Sequence, residues 1–211
     1  MHNPNIIFWE VDVQRDFMLP GGALYVAGAE KLLPNIRKLT DAARRDQVLL
    51  VSSGDFHSPN DPEFQQFPPH CIKGTPGADL LPEALAEKVI HIENVSEVKL
   101  PADLHAYQQV VLEKQTLDVF KTRQADELVE RLGPEAGFIV FGVVTEYCVG
   151  CAVKGLLQRH RHVAVVQDAI EALSAEAGKS CVAEFQKLGA RMITTAEVLR
   201  ELNSSGVARG S

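Results

Sequence analysis

Cys148 closes the stretch FIVFGVVTEYC, an apolar run leading into a segment of helical period. A thiol at such a junction can act as a nucleophile. Thr145 is the expected N-cap, which would put Cys148 in the first helical turn, where backbone N–H groups and the helix dipole favour a thiolate. Three other stretches offer partners. VDVQRDF sets Asp12 within or at the end of the first apolar run, and a carboxylate there must be paired or functional. VVLEKQT sets Lys114 after another apolar run, where a parallel sheet would bring it close to Asp12. In GDFHSPNDPEFQQFPPHC, Asp55 and His57 project from one face of an extended segment, and a loop can bring Glu63 and His70 to the same point. Oxygen and imidazole ligands without a thiolate suit Zn²⁺, Fe²⁺ or Mn²⁺.

Taken singly, each of these residues has an ordinary structural account. Asp12 can cap a turn, Lys114 can lie along a sheet edge with its amine in water, and Asp55 can begin an Asx-turn. Buried cysteines are commonly inert, and Cys71 and Cys181 are read that way. Cys148 and Cys151 also form a CxxC, the spacing of a redox pair or of half a zinc site. No second CxxC completes a zinc site, and Val149 and Gly150 lie where a thioredoxin-like motif would carry a proline. Cys151 is therefore expected to face the core.

These residues need a scaffold. Short apolar runs at Ile6 to Val13, Val48 to Ser53, Val89 to Ile92, Val110 to Leu112, Phe138 to Val144 and Val163 to Val166 read as strands buried on both faces. Helical periods alternate with them at Ala29 to Arg45, Gln124 to Leu132, Val149 to Arg159, Ala175 to Leu188 and Ala196 to Leu202. The expected fold is α/β, a three-layer α/β/α arrangement around a mostly parallel, roughly six-stranded sheet. Ligands of such sheets bind beyond the carboxyl ends of the strands, where the candidate residues fall. One irregular stretch, Gly54 to Gly77, carries Pro59, Pro62, Pro68, Pro69 and Pro76, and a loop that long is usually functional.

The 211 residues, 45% apolar, suffice for one domain, expected over residues 1–203, with a flexible tail at 204–211. A net charge of −7 with scattered basic residues argues against a nucleic-acid partner. No apolar run is long enough for export or membrane anchoring, and four unevenly spaced cysteines suit a reducing, cytoplasmic setting.

In this order and at these intervals, DVQRDF, DFH, PPHC, EKQT and TEYCV resemble the isochorismatase-like cysteine hydrolases, and within them the nicotinamidases, from about Ile6 to Leu202. The resemblance implies a catalytic triad of Asp12, Lys114 and Cys148. It implies a divalent metal ion, zinc first with iron or manganese as alternatives, on Asp55, His57 and His70, with Glu63 at a ligand position that varies among members. It also implies a cis peptide between Val143 and Val144, an oxyanion hole from the Val144 and Cys148 amides, and aromatic pocket walls at Phe17, Phe67 and Phe120. The implied reaction converts nicotinamide to nicotinate and ammonia through a Cys148 thioester. The implied partner is a small-molecule amide, with a homo-oligomer left open. Another small amide, ureido or carbamoyl substrate is the alternative, ahead of a thiol-redox protein built on Cys148 and Cys151.

Overall fold

Strands that are apolar on both faces need a helical layer on each side, and here such strands form one parallel sheet. The computed structural model describes residues 6–207 and contains β1 (Ile6–Val11), β2 (Leu49–Asp55), β3 (Val89–Ile92), β4 (Gln109–Lys114), β5 (Gly137–Val143), β6 (His162–Glu171) and β7 (Arg191–Ile193). Their order is β3-β4-β2-β1-β5-β6-β7, with every pairing parallel. The seventh strand was not legible from pattern. It is a three-residue edge strand of mixed polarity that pairs only with Ala164 to Val166 of β6.

The helices are α1 (Arg15–Met18), α2 (Leu33–Arg44), α3 (Ala125–Arg131), α4 (Gly150–Gln158), α5 (Ala175–Lys187) and α6 (Thr195–Val207). Side-chain alternation along β1 feeds both layers. Phe8 packs into one core with Ile36 and Leu39 of α2 and Val198 of α6. Ile7, Trp9 and Val11 pack into the other with Leu128 of α3 and Val153 and Leu156 of α4. The period starting at Ala29 opens as a 3₁₀ turn over Ala29–Leu32 before α2 begins. At the other end α6 continues to Val207, so residues 204–207 of the stretch expected as a tail are helical, and residues 208–211 lie outside the described residues. Among the described residues no helix is long and apolar enough to cross a membrane.

β1 is central, flanked by β2 on one side and β5 on the other, which is where a crevice opens beyond the strand ends. Asp12 follows β1, Asp55 ends β2, Lys114 ends β4 and Cys148 follows β5. The β5–β6 pairing shifts register between Val140 and Gly142. At Gly142 φ is +120°, and an added Cβ would lie 2.0 Å from the Val11 carbonyl oxygen. Only glycine lets β5 run this close to the end of β1. Gly142→Ala is therefore expected to destabilise the fold by about 1–3 kcal/mol or more, measured by chemical denaturation.

Candidate active site

Lys114 is fully buried, and its ammonium is the hub of the site. Asp55 and Lys114 face each other across the β2–β4 pairing. Lys114 Nζ donates to Asp55 Oδ1, lies 2.9 Å from Asp12 Oδ2 and is 3.6 Å from Cys148 Sγ. Asp12 reaches it by leaving the strand conformation: its φ is +53°, while its amide still donates to Ser53 O at 2.8 Å.

The four groups set one another's proton affinity. Burial lowers that of Lys114, but Asp12 and Asp55 outweigh it and hold the ammonium charged. Burial alone would raise the Asp55 carboxyl, yet Lys114, His57 and His70 hold it well below the usual carboxylate range. Asp12 is pushed up to about 7, first by burial and then by Asp55, against the pull of Lys114. The Cys148 thiol is raised well above its ordinary value by burial and by the Asp12 charge. Helix position would favour a thiolate, whereas burial and then the Asp12 charge favour the protonated thiol here. Thr145 is not the cap. Its hydroxyl donates to Glu171 O at 2.8 Å, and a π-helical turn over Thr145–Val149 carries Cys148 ahead of α4. Such turns recur at functional sites.

Beside this cluster, Asp55 Oδ2 lies 3.8 Å from His57 Nε2 and 3.7 Å from His70 Nε2. All three residues are buried, and His57 Nε2 has no hydrogen-bond partner. Ligand atoms sit about 2.0–2.2 Å from zinc, so one oxygen and two imidazole nitrogens at these separations fit a single divalent ion. Glu63 lies outside this trio. It stands on the turn Pro62–Gln65 and lines the pocket, with one buried carboxylate oxygen unpartnered.

A cavity of about 260 Å³ opens over Cys148, Asp55 and His70. Phe17 and Phe67 line it and flank His70, with ring centroids 5.4 and 6.4 Å from the imidazole. Phe120 is a correction, since it does not line this cavity. Its ring is 5.9 Å from that of Trp9, and the Arg159 guanidinium lies 3.7 Å over it. Asp118 caps the turn Val119–Lys121 and swings the segment away from the pocket. Leu117 and Tyr147 supply further walls that sequence reading missed. Their signal was adjacency, three residues after Lys114 and one before Cys148.

The peptide between Val143 and Val144 is cis, and Val144 and Cys148 both line the pocket. Cys151 does not face the core. It is half-buried and opens on a neighbouring groove with Asp118 and Lys121, so the two thiols of the CxxC line different cavities. Cys71 is buried and Cys181 half-buried, both as free thiols.

Two further residues of DVQRDF, Gln14 and Asp16, hold the site together. Gln14 donates to Asp55 O at 2.6 Å and to Ala78 O at 2.8 Å, and accepts from the Asp55 amide at 2.7 Å. Asp16 accepts from the Cys71 amide at 2.8 Å, fixing the neighbour of His70, and from the Ala23 amide at 3.1 Å. Gly77 passes so close to Asp16 that an added Cβ would lie 2.2 Å from its carboxylate.

The Isochorismatase domain profile matches residues 7–99 and 92–197. The chain belongs to the isochorismatase family. The nicotinamidase/pyrazinamidase of Mycobacterium tuberculosis is 28% identical over 191 residues, covering 87% of this chain and 95% of that protein. The nicotinamidase of Escherichia coli is 25% identical over 210 residues, covering 89% and 93%. Among solved structures, the pyrazinamidase of Pyrococcus horikoshii in complex with zinc superposes with a TM-score of 0.72 at 24% identity, covering 90% of this chain and 99% of that one. This member of the family is an amide hydrolase of the nicotinamidase-like kind, acting on carbon–nitrogen bonds.

Two outcomes follow from the buried charges. Lys114→Met leaves two carboxylates unpaired and is expected to cost about 3–5 kcal/mol in chemical denaturation. Asp12 binds its proton more tightly folded than unfolded, so its contribution to stability is fully present below pH 3.8 and is lost as pH rises towards about 7. In metal-free protein, Asp12→Asn should therefore gain on the wild type between pH 4 and 7, by at most about 1.4 kcal/mol per pH unit.

Proposed function

We propose that this enzyme deamidates nicotinamide to nicotinate and ammonia through a thioester on Cys148. The observation that carries the reading is a buried Cys148, Asp12 and Lys114 cluster at the floor of a small, aromatic-walled pocket. Asp12, with a proton affinity near neutrality, takes the thiol proton as general base. Lys114, 3.6 Å from the sulfur, stabilises the thiolate as it forms. The thiolate adds to the carboxamide carbon while the Val144 and Cys148 amides receive the developing oxyanion, a contribution of about 2.7–4 kcal/mol per donor in comparable sites. The C–N bond breaks, the proton held by Asp12 passes to the departing nitrogen, and ammonia leaves. Asp12 then takes a proton from water, whose oxygen attacks the thioester; the C–S bond breaks, the acid is released and the proton on Asp12 returns to the departing sulfur.

Phe17 and Phe67 sandwich an aromatic ring and exclude water from the reacting carbon. Asp55, His57 and His70 would hold the divalent ion, zinc by our reading, with Glu63 as a further ligand. When bound, the ion supplies a Lewis acid that orients the ring or acidifies water. The free cysteines and the family's small-molecule chemistry suit work in the cytoplasm.

Ammonia release from nicotinamide tests the reading. Cys148→Ala should abolish turnover, and Asp12→Asn should lower kcat/KM by about 10²–10⁴-fold. Unchanged release by Cys148→Ala would overturn the nucleophile. If nicotinamide is inert while carbamoyl or ureido compounds release ammonia, the chemistry stands and the substrate falls. Stripping the metal with a chelator should remove activity that Zn²⁺ restores. Turnover unaffected by chelation, with no metal in the protein, would leave Asp55, His57 and His70 a structural role.

A further inference from the structure

His57 and His70 each turn one ring nitrogen towards Asp55, so each needs its other nitrogen held. For His70 the partner is the Pro68 carbonyl, 2.8 Å from Nδ1. For His57 no hydrogen bond reaches Nδ1 in the present geometry, but Asp61 Oδ2 lies 3.1 Å from it, at ion-pair distance, with a side chain only 9% exposed. The same carboxylate works at its other oxygen: Asp61 Oδ1 accepts from the Glu63 amide at 3.0 Å and caps the turn Pro62–Gln65. Asp61 does not line the reaction pocket. It stands outside it, on the grooves beyond His57 and Glu63.

We infer that Asp61 is a positioning residue of the metal centre, orienting His57 through Oδ2 while Oδ1 sets the turn that carries Glu63 to the pocket. The inference rests on the metal site proposed above. An imidazole that donates Nδ1–H to a carboxylate keeps its Nε2 lone pair free, in a fixed direction, for a cation. Such outer partners are commonly worth about 10–100-fold in metal affinity. One carboxylate with two duties also makes the two flanking ligand positions dependent on each other. A shift of the turn at Glu63 would pull on the residue that holds His57.

The test uses the full chain stripped with a chelator, then titrated with Zn²⁺ in competition with a chromophoric chelator and with Co²⁺ for its visible spectrum. Asp61→Ser keeps a short oxygen able to cap the Glu63 amide but cannot reach His57. It should bind Zn²⁺ about 10–100-fold more weakly and shift the Co²⁺ bands, with the Tm of the stripped protein unchanged. Asp61→Asn, whose neutral amide oxygen still accepts from an imidazole N–H, should fall between. Zn²⁺ affinity and Co²⁺ spectrum indistinguishable from wild type in both variants would overturn the inference. So would a loss of affinity matched by a fall in the Tm of stripped protein, which would mean that Asp61 merely supports the turn. If wild type and Asp55→Ala both fail to bind Zn²⁺, the metal site itself is the reading that fails, and this inference with it.

Discussion

A lysine ammonium taken fully out of water is the constraint on which the rest depends. Its transfer to the interior would cost several kcal/mol unless opposite charges meet it, and Asp12 and Asp55 do so. Those carboxylates in turn are tolerated at the strand ends only because Lys114 is there. Two carboxylates against one ammonium still leave one negative charge in excess when the thiol is neutral. Burial first, and then that excess, favours the protonated Cys148 thiol and lifts Asp12 towards neutrality. The excess also makes the side of Asp55 facing His57 and His70 attractive to a cation. The proposed nucleophile, its proposed base and the candidate metal position are thus aspects of one charge balance, joined through Asp55.

That balance survives only if the groups cannot move apart. The sheet sets Asp55 against Lys114 by register, and Asp12 and Cys148 follow neighbouring strands. The long stretch after β2 has no regular structure to hold it and is fastened by side chains instead. Gln14 ties Ala78 to the end of β2, and Asp16 ties Cys71 to the α1 region. Polar side chains from the loop after β1 thereby do for the irregular segment what backbone pairing does for the strands. A site on a loop acquires the stiffness of the sheet.

Much of the candidate site was legible because buried charge is rare enough to be conspicuous. A carboxylate, an amine and a thiol each ending an apolar run drew notice to Asp12, Lys114 and Cys148. DFH and PPHC drew notice to Asp55, His57 and His70. What pattern did not convey was direction. Phe120 has the composition of a pocket wall, but the turn capped by Asp118 points it at Trp9 and Arg159 rather than into the cavity. Cys151 opens on a groove rather than the core, because a π-helical turn shifts the phase of the residues that follow. β7 escaped notice since three residues are too few to show alternation, and Gln14 and Asp61 because a polar residue in a loop carries no mark of what it grips.

The amino-acid sequence by itself determined the layered α/β architecture, through apolar runs of strand length alternating with amphipathic helical periods. It also determined the chemical inventory at the strand ends, since residue type and position along the chain suffice for both. Only the tertiary structure decided the ionisation of that inventory, the walls of the pocket and the surroundings of the two imidazoles at the candidate metal site. Proton affinity depends on burial and on charges a few ångströms away, and those neighbours come from segments up to 136 positions apart along the chain, as Asp12 and Cys148 are. Distance in space, which no local pattern records, set their chemistry.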